Sequence, residues 1–307
     1  MRRCSISSDL GVVVPMIPTP FTEALAVDMD GLRALVDFAT ERFSSIAILG
    51  FGAECLQLSD EERRAVTAAV CARVDSGTRV VVGCTALTSA STLELVRDAA
   101  DAGASVLMVA PPLDVLSQDA ALAFLELCVA YCGDSALMVQ DAPAWSGAEL
   151  GAAAVRALAR AHADVVKFAK PEALPFADTV AALTAEPGLS VYTGLAGTSL
   201  LDGLALGARG SIPFLDAGAA LQQVAELWLV DPLAAQSAFE RLQPLLGFEM
   251  QTLAHAVLCS KLLLIAQGLP ILPVLRMTTP PSGPSFYRLL RAHASRASLP
   301  APPAWGS

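Results

Sequence analysis

Eight short apolar runs, each followed by a stretch of helical period, constrain this chain more than any single residue does. The runs cover 11–16, 45–49, 79–82, 106–109, 136–139, 165–169, 189–192 and 210–212. They are rich in Val, Ile and Leu with little alternation, the pattern of strands buried on both faces. Helical stretches lie between them, at 28–42, after Ser59, and at 91–102, 119–131, 149–161, 176–185, 199–207 and 219–229. In the first of these, Leu32, Leu35, Val36 and Phe38 form an apolar face. Ser59 and Glu62 are spaced as a capping box, in which hydroxyl and carboxylate satisfy the first free amides of a helix. Eight strands alternating with helices is the count of a closed parallel barrel. A doubly wound open sheet shares the alternation but carries a glycine-rich phosphate loop after its first strand. That place holds Pro15, Pro18 and Pro20, and no GxGxxG or Walker pattern occurs anywhere. The predicted fold is therefore α/β, a (β/α)8 TIM barrel over residues 1–230. A C-terminal helical bundle is predicted over 231–298, from helical segments at 232–246, 250–267 and 285–296. A disordered tail is predicted over 299–307, where Pro300, Pro302 and Pro303 cluster.

Charge and cysteine usage narrow the function classes. A net charge of -10 argues against nucleic acid or an anionic membrane surface as partner. The seven cysteines are scattered without a CxxC pair, and the three histidines are His162, His255 and His293. A zinc site or a disulfide framework has little to stand on, so reduced, buried thiols and no metal or other cofactor are expected. Arg2 and Arg3 precede a stretch broken by Asp9 and Pro15, unlike a signal peptide. The C-terminal apolar run is interrupted by Lys261 and Pro270, too early for a membrane span. The expectation is a soluble, cytoplasmic protein.

The chemistry points to lysine. Only Lys167, Lys170 and Lys261 occur in the chain, and two of them share one apolar strand, VVKFAKPE. Side chains three apart on a strand point to opposite faces, so one lysine enters the barrel and the other meets the helical layer. Lys170 stands at the C-terminal end of the run, just before Pro171, where barrel active sites are built. Burying an ammonium there favours the neutral amine, the form that attacks a carbonyl. Pairing of both lysines with acids such as Glu172 or Asp164 is the plainer structural alternative.

Several segments in order resemble the dihydrodipicolinate synthase and N-acetylneuraminate lyase family, from about residue 11 to residue 268. VVPMIPTPF resembles its first strand, and LGFGAECLQLSDEER its GTTGE loop and the helix start beyond. MVAPP and MVQDAPAWSG resemble the ends of its fourth and fifth strands. YTGLAG and LGARGSI resemble the seventh and eighth, and the helix holding Lys261 a lysine-bearing helix of the C-terminal bundle. The resemblance implies a class I aldolase or lyase that binds pyruvate or another 2-oxo acid as an imine, and a homo-oligomer, dimer or tetramer. Its spacing to Gly194 favours Lys170 over Lys167, and FAKPEALP resembles a lysine-glutamate variant of the family.

The departures are as informative. Phe51 and Gly52 stand where the family has two threonines, Gln140 where it has the proton-transferring tyrosine, and Trp145 where the synthases have an arginine. Leu113 or Asp114 replaces the tyrosine that follows the fourth-strand prolines. The relay of a dihydrodipicolinate synthase is thus missing, and the lysine-biosynthetic role is not expected. Glu172, two residues beyond Lys170, shares its face if the strand persists and is a candidate acid or base. Gln140 can orient a carbonyl or a water but not carry a proton. Lys170, Gln140 and Glu172 are the expected catalytic set. Phe51, Gly52, Asp141, Gly194 and Ile212 are the expected substrate-facing positions. Phe51 and Trp145 point to a larger or less charged substrate, with ordinary core or lid packing as the alternative. Asp114, Asp141 and Glu172 have plainer readings as solvated loop carboxylates, and Glu54, Arg209 and Arg276 are read as loop, surface or interface residues. The competing functional reading is a catalytically altered barrel that binds a small molecule as a regulatory protein. A metal-dependent barrel enzyme is a third reading, disfavoured by scarce histidine.

Overall fold

Runs of valine, isoleucine and leucine become parallel strands here because neighbours bury both of their faces. The computed structural model describes residues 9–173 and 175–304. Seven parallel strands follow one another in sequence order. They are β1 (Ser45–Ile48), β2 (Arg79–Gly83), β3 (Val106–Val109), β4 (Ala136–Asp141), β5 (Val166–Pro171), β6 (Ser190–Thr193) and β7 (Gly210–Ser211). The first predicted strand, 11–16, closes the ring as an extended segment held by isolated bridges. Val14 N–H donates to Ser211 O at 3.0 Å on one side, and Ala47 N–H donates to Pro15 O at 2.9 Å on the other. Pro15 offers a carbonyl but no N–H, which thins the ladder without opening the barrel.

Eight helices surround the strands: α1 (Met29–Thr40), α2 (Asp60–Arg73), α3 (Ser89–Asp101), α4 (Gln118–Tyr131), α5 (Gly151–Ala161), α6 (Phe176–Thr184), α7 (Leu200–Ala205) and α8 (Gly218–Val230). The capping box at Ser59 and Glu62 forms as expected and opens α2. Inside the barrel, Ala47, Val81, Met108, Met138, Phe168, Tyr192 and Ile212 pack into a separate apolar plug. Burial pushes the Tyr192 hydroxyl up to about 12, and it accepts from Leu10 N–H. Six cysteines of the described residues are free, and burial raises the thiols of Cys71, Cys84 and Cys132 to about 11, 12 and 12.

Three further helices follow, α9 (Pro232–Glu249), α10 (Leu253–Ala266) and α11 (Pro284–Arg296). Among the described residues no helix is long and apolar enough to cross a membrane. Residues 299–304 form neither helix nor strand, with Pro302 buried and its carbonyl accepting from Arg291; 305–307 of the expected tail lie outside the described residues. Helix α10 is buried nearly all round, and its Lys261 lies fully out of solvent. The ammonium meets Glu54 Oε1 at 2.8 Å and donates to Val274 O at 2.7 Å. The other oxygen of Glu54 accepts from the N–H groups of Arg276 and Met277. Arg276 also pairs with both oxygens of Glu62 and donates to Leu25 O and Gln57 O. Arg276 is therefore a clamp within the chain rather than the surface or interface residue expected. Burial drives the Lys261 ammonium downward, and the Glu54 charge opposes that.

A second buried cluster joins the same parts. Asp216 before α8 and Glu249 at the end of α9 are both buried. Neither makes a hydrogen bond of good geometry, but Asp216 lies within reach of Glu249 and of Ser260 on α10. Desolvation raises both carboxyls, Glu249 the more, with the Asp216 charge adding to it.

Two predictions follow from these clusters. Lys261→Met leaves Glu54 as an uncompensated buried charge and is expected to destabilise the fold by about 3–5 kcal/mol in urea unfolding. The double change Glu54→Gln, Lys261→Met is expected to recover part of that loss; equal losses would remove the ion pair as the cause. For Asp216 and Glu249, the folded state holds protons that the unfolded state releases. Their stability contribution is full below the ordinary carboxylate range and falls as pH rises through the raised folded values. Glu249→Gln should therefore flatten the decline of Tm as pH rises above the ordinary carboxylate range. An unchanged Tm–pH slope would show that the pair does not set it.

Candidate active site

The inward series of two adjacent strands ends in polar groups at the C-terminal mouth of the barrel. On β4, Ala136 and Met138 lead by steps of two to Gln140; on β5, Phe168 leads to Lys170 and then Glu172. The two strands are in register there, Gln140 opposite Lys170. This register depends on a bulge, since Leu137 pairs with Val166 and Met138 with Phe168, leaving Lys167 unopposed. Lys167 turns outward and donates to Ala163 O at 2.6 Å. Lys170 is thus the lysine that enters the barrel.

One carboxylate gathers the site. Lys170 Nζ lies 2.7 Å from Glu172 Oε2, with the two side chains 6% and 5% exposed. Gln140 Nε2 donates to the same oxygen at 2.6 Å, and Leu195 N–H donates to Oε1 at 3.3 Å. Gly194 makes this approach possible, because a Cβ there would stand 2.1 Å from Glu172 Oε1. A buried carboxylate with three donors is oriented, charge-balanced and within proton-transfer distance of an amine.

These groups open into a small cavity at the C-terminal mouth of the barrel. Of the expected residues, Phe51, Gly52, Gln140, Lys170, Glu172 and Ile212 line it. Phe51 and Trp145 form one aromatic wall, their rings 6.3 Å apart. Gly52 faces the Phe214 ring, which a Cβ would meet at 2.5 Å. Phe214, Met250 and Leu253 also line the cavity and were not legible beforehand, since they arrive from the end of the barrel and from the α9–α10 turn. Among the described residues no tyrosine lines it.

Two expectations change, those for Asp141 and Gly194. Asp141 does not face substrate: its oxygens accept from Leu150 N–H at 3.0 Å and Gly151 N–H at 2.8 Å. It caps α5, which has no side-chain cap of its own. Gly194 is not among the residues lining the cavity but makes room for Glu172 behind it. Asp114 is bound to Ser89, whose backbone N–H leads in holding its carboxyl below the ordinary range.

Comparison with known proteins places this geometry. Residues 9–283 match the dihydrodipicolinate synthetase family. Over 138 residues the chain is 35% identical to a 4-hydroxy-tetrahydrodipicolinate synthase of Kineococcus radiotolerans, covering 45% of each protein. Over 155 residues it is 29% identical to the putative 2-dehydro-3-deoxy-D-gluconate aldolase YagE of Escherichia coli K12, covering 50% of this chain and 51% of the relative. The chain thus spans about half the length of these curated relatives. A dihydrodipicolinate synthase structure from Rhodopseudomonas palustris superposes with a TM-score of 0.85 at 22% identity, covering 93% of this chain and 97% of the other. A sialic acid aldolase from Ruminococcus gnavus superposes at 0.81 with 16% identity, covering 94% and 97%. These structures share the barrel and its helical extension. With the match running from the first barrel segment to the start of the last helix, the chain belongs to the dihydrodipicolinate synthetase family.

Proposed function

We propose that this protein is a Schiff-base lyase or aldolase that binds a 2-oxo acid, or a related carbonyl compound, as an imine on Lys170. The contact that carries the reading is Lys170 Nζ to Glu172 Oε2 at 2.7 Å, buried at the end of a barrel strand. In that reading the ammonium first gives a proton to Glu172, freeing the amine. The amine adds to the carbonyl carbon, forming a C–N bond and a carbinolamine. Glu172 then returns its proton to the departing hydroxyl, which leaves as water, and the nitrogen becomes an iminium. Loss of a proton from the adjacent carbon yields an enamine, the state from which a C–C bond is made or, in reverse, broken. Hydrolysis of the iminium regenerates the amine.

Glu172 thereby takes the proton-carrying part that Gln140 cannot. Gln140 and Leu195 N–H fix the carboxylate instead. Phe51, Gly52 and Trp145 at the family's threonine and arginine positions support a substrate other than that of the lysine-biosynthetic synthase. A homo-oligomer in solution is part of the same proposal.

Lys170→Ala is expected to abolish both turnover and borohydride-trapped adducts with 2-oxo acids, with an unchanged circular dichroism spectrum. Turnover retained by that variant would overturn the proposal. Gly194→Ala, which drives a methyl into the Glu172 carboxylate, is expected to lower kcat/KM at least about tenfold. Peptide mass spectrometry of the trapped wild-type protein should place the adduct on Lys170; an adduct on Lys167 would contradict the assigned facing of β5.

A further inference from the structure

We infer that the second reactant, or the part of the substrate beyond the imine carbon, is an uncharged aromatic group: the protein joins a 2-oxo acid to an aryl aldehyde, or splits the corresponding adduct. The inference rests on the Schiff-base reading and concerns what the remainder of the cavity selects. Lys170 is the only cationic side chain lining the cavity among the described residues, and its nitrogen is consumed by the imine. A second carboxylate or a phosphate on the substrate would have no partner there and would face the Glu172 charge. Burying an unpaired ion is strongly unfavourable.

A polyhydroxylated chain fits no better. Apart from Lys170 and Glu172, Gln140 and the indole N–H of Trp145 are the only polar side-chain groups on the lining among the described residues, and one amide N–H of Gln140 already serves Glu172. Successive hydroxyls would lose water without gaining partners. What the walls offer is ring and thioether surface. Phe51 and Trp145 are tilted 43° to one another at 6.3 Å, and Phe214, Met250 and Leu253 also line the cavity. An aromatic ring gains offset or edge contacts with such walls beyond its apolar burial.

The step balances without an added oxidant or reductant. The enamine carbon derived from pyruvate attacks the aldehyde carbon, forming one C–C bond. The aldehyde oxygen takes the proton that Glu172 removed from carbon in forming the enamine and becomes a hydroxyl, and water hydrolyses the resulting iminium to release the 4-hydroxy-2-oxo acid. Cleavage runs the same steps in reverse.

The test gives the wild-type protein pyruvate with benzaldehyde, glyceraldehyde or succinic semialdehyde, and reads kcat/KM for consumption of each aldehyde. In parallel, pyruvate alone is trapped with borohydride. Benzaldehyde is expected to exceed both others at least about tenfold. Trp145→Arg is expected to reverse the order of benzaldehyde and succinic semialdehyde, by supplying the missing cation. Equal rates, or preference for either polar aldehyde in a protein that traps pyruvate on Lys170, would overturn the aromatic assignment and leave the imine reading standing. Absence of any trapped adduct would overturn the imine reading and this inference with it.

Discussion

The buried contact between Glu54 and Lys261 determines how the mouth of the barrel is built. Glu54 ends the short turn that carries Phe51 and Gly52, in a left-handed conformation with φ 57°. Lys261 stands on α10, which Leu253 opens just after the turn bearing Met250. The carboxylate also accepts from the backbone at residues 276 and 277, so one charge pair fixes three stretches of chain remote in sequence. An ion pair without solvent does not by itself guarantee stability. Its effect here is positional: either residue alone would be an uncompensated charge, so the walls of the cavity are held in one arrangement. Asp216, Glu249 and Ser260 bring the same elements together from behind, as a buried polar cluster whose two carboxyls are raised by desolvation.

Much of the fold was legible because its signals are local. Eight apolar runs, the capping box at Ser59 and the prolines after the first run each act within a few residues. The thinning of the first strand into bridges is also local, since it follows from the missing N–H of Pro15. The site was legible only in part. Lys170 is singled out by its strand-end position and by the family resemblance, whereas period-two geometry alone leaves Lys167 as its equal. The bulge at Lys167 and the inward step from Phe168 to Lys170 decide between them, and both require the pairing with β4.

Asp141 marks where sequence reasoning reaches its limit. It sits one residue beyond Gln140 at the end of the same strand, and no feature of the motif distinguishes a substrate ligand from a cap. The distinction comes from α5, whose first turn offers Leu150 at the capping place and so takes its acceptor from the preceding strand. Phe214, Met250 and Leu253 were missed for a similar reason. Apolar residues on apolar segments carry no signal that they will face a cavity instead of the core until the C-terminal helices are in place.

Charge conservation explains how an apolar cavity can host this chemistry. At rest the site holds an ammonium and a carboxylate at 2.7 Å. In the proposed reaction, internal proton transfer leaves a neutral amine and a neutral acid, and loss of water then leaves an iminium and a carboxylate again. Lys170 and Glu172 together therefore carry no net charge at any of these stages, and the pair itself undergoes no change in net charge. Gln140 and Leu195 N–H, by fixing the carboxylate while its proton comes and goes, spare the site a reorganisation that water would otherwise supply. A pair of this kind needs no polar wall around it, which leaves the wall free to be chosen for the substrate.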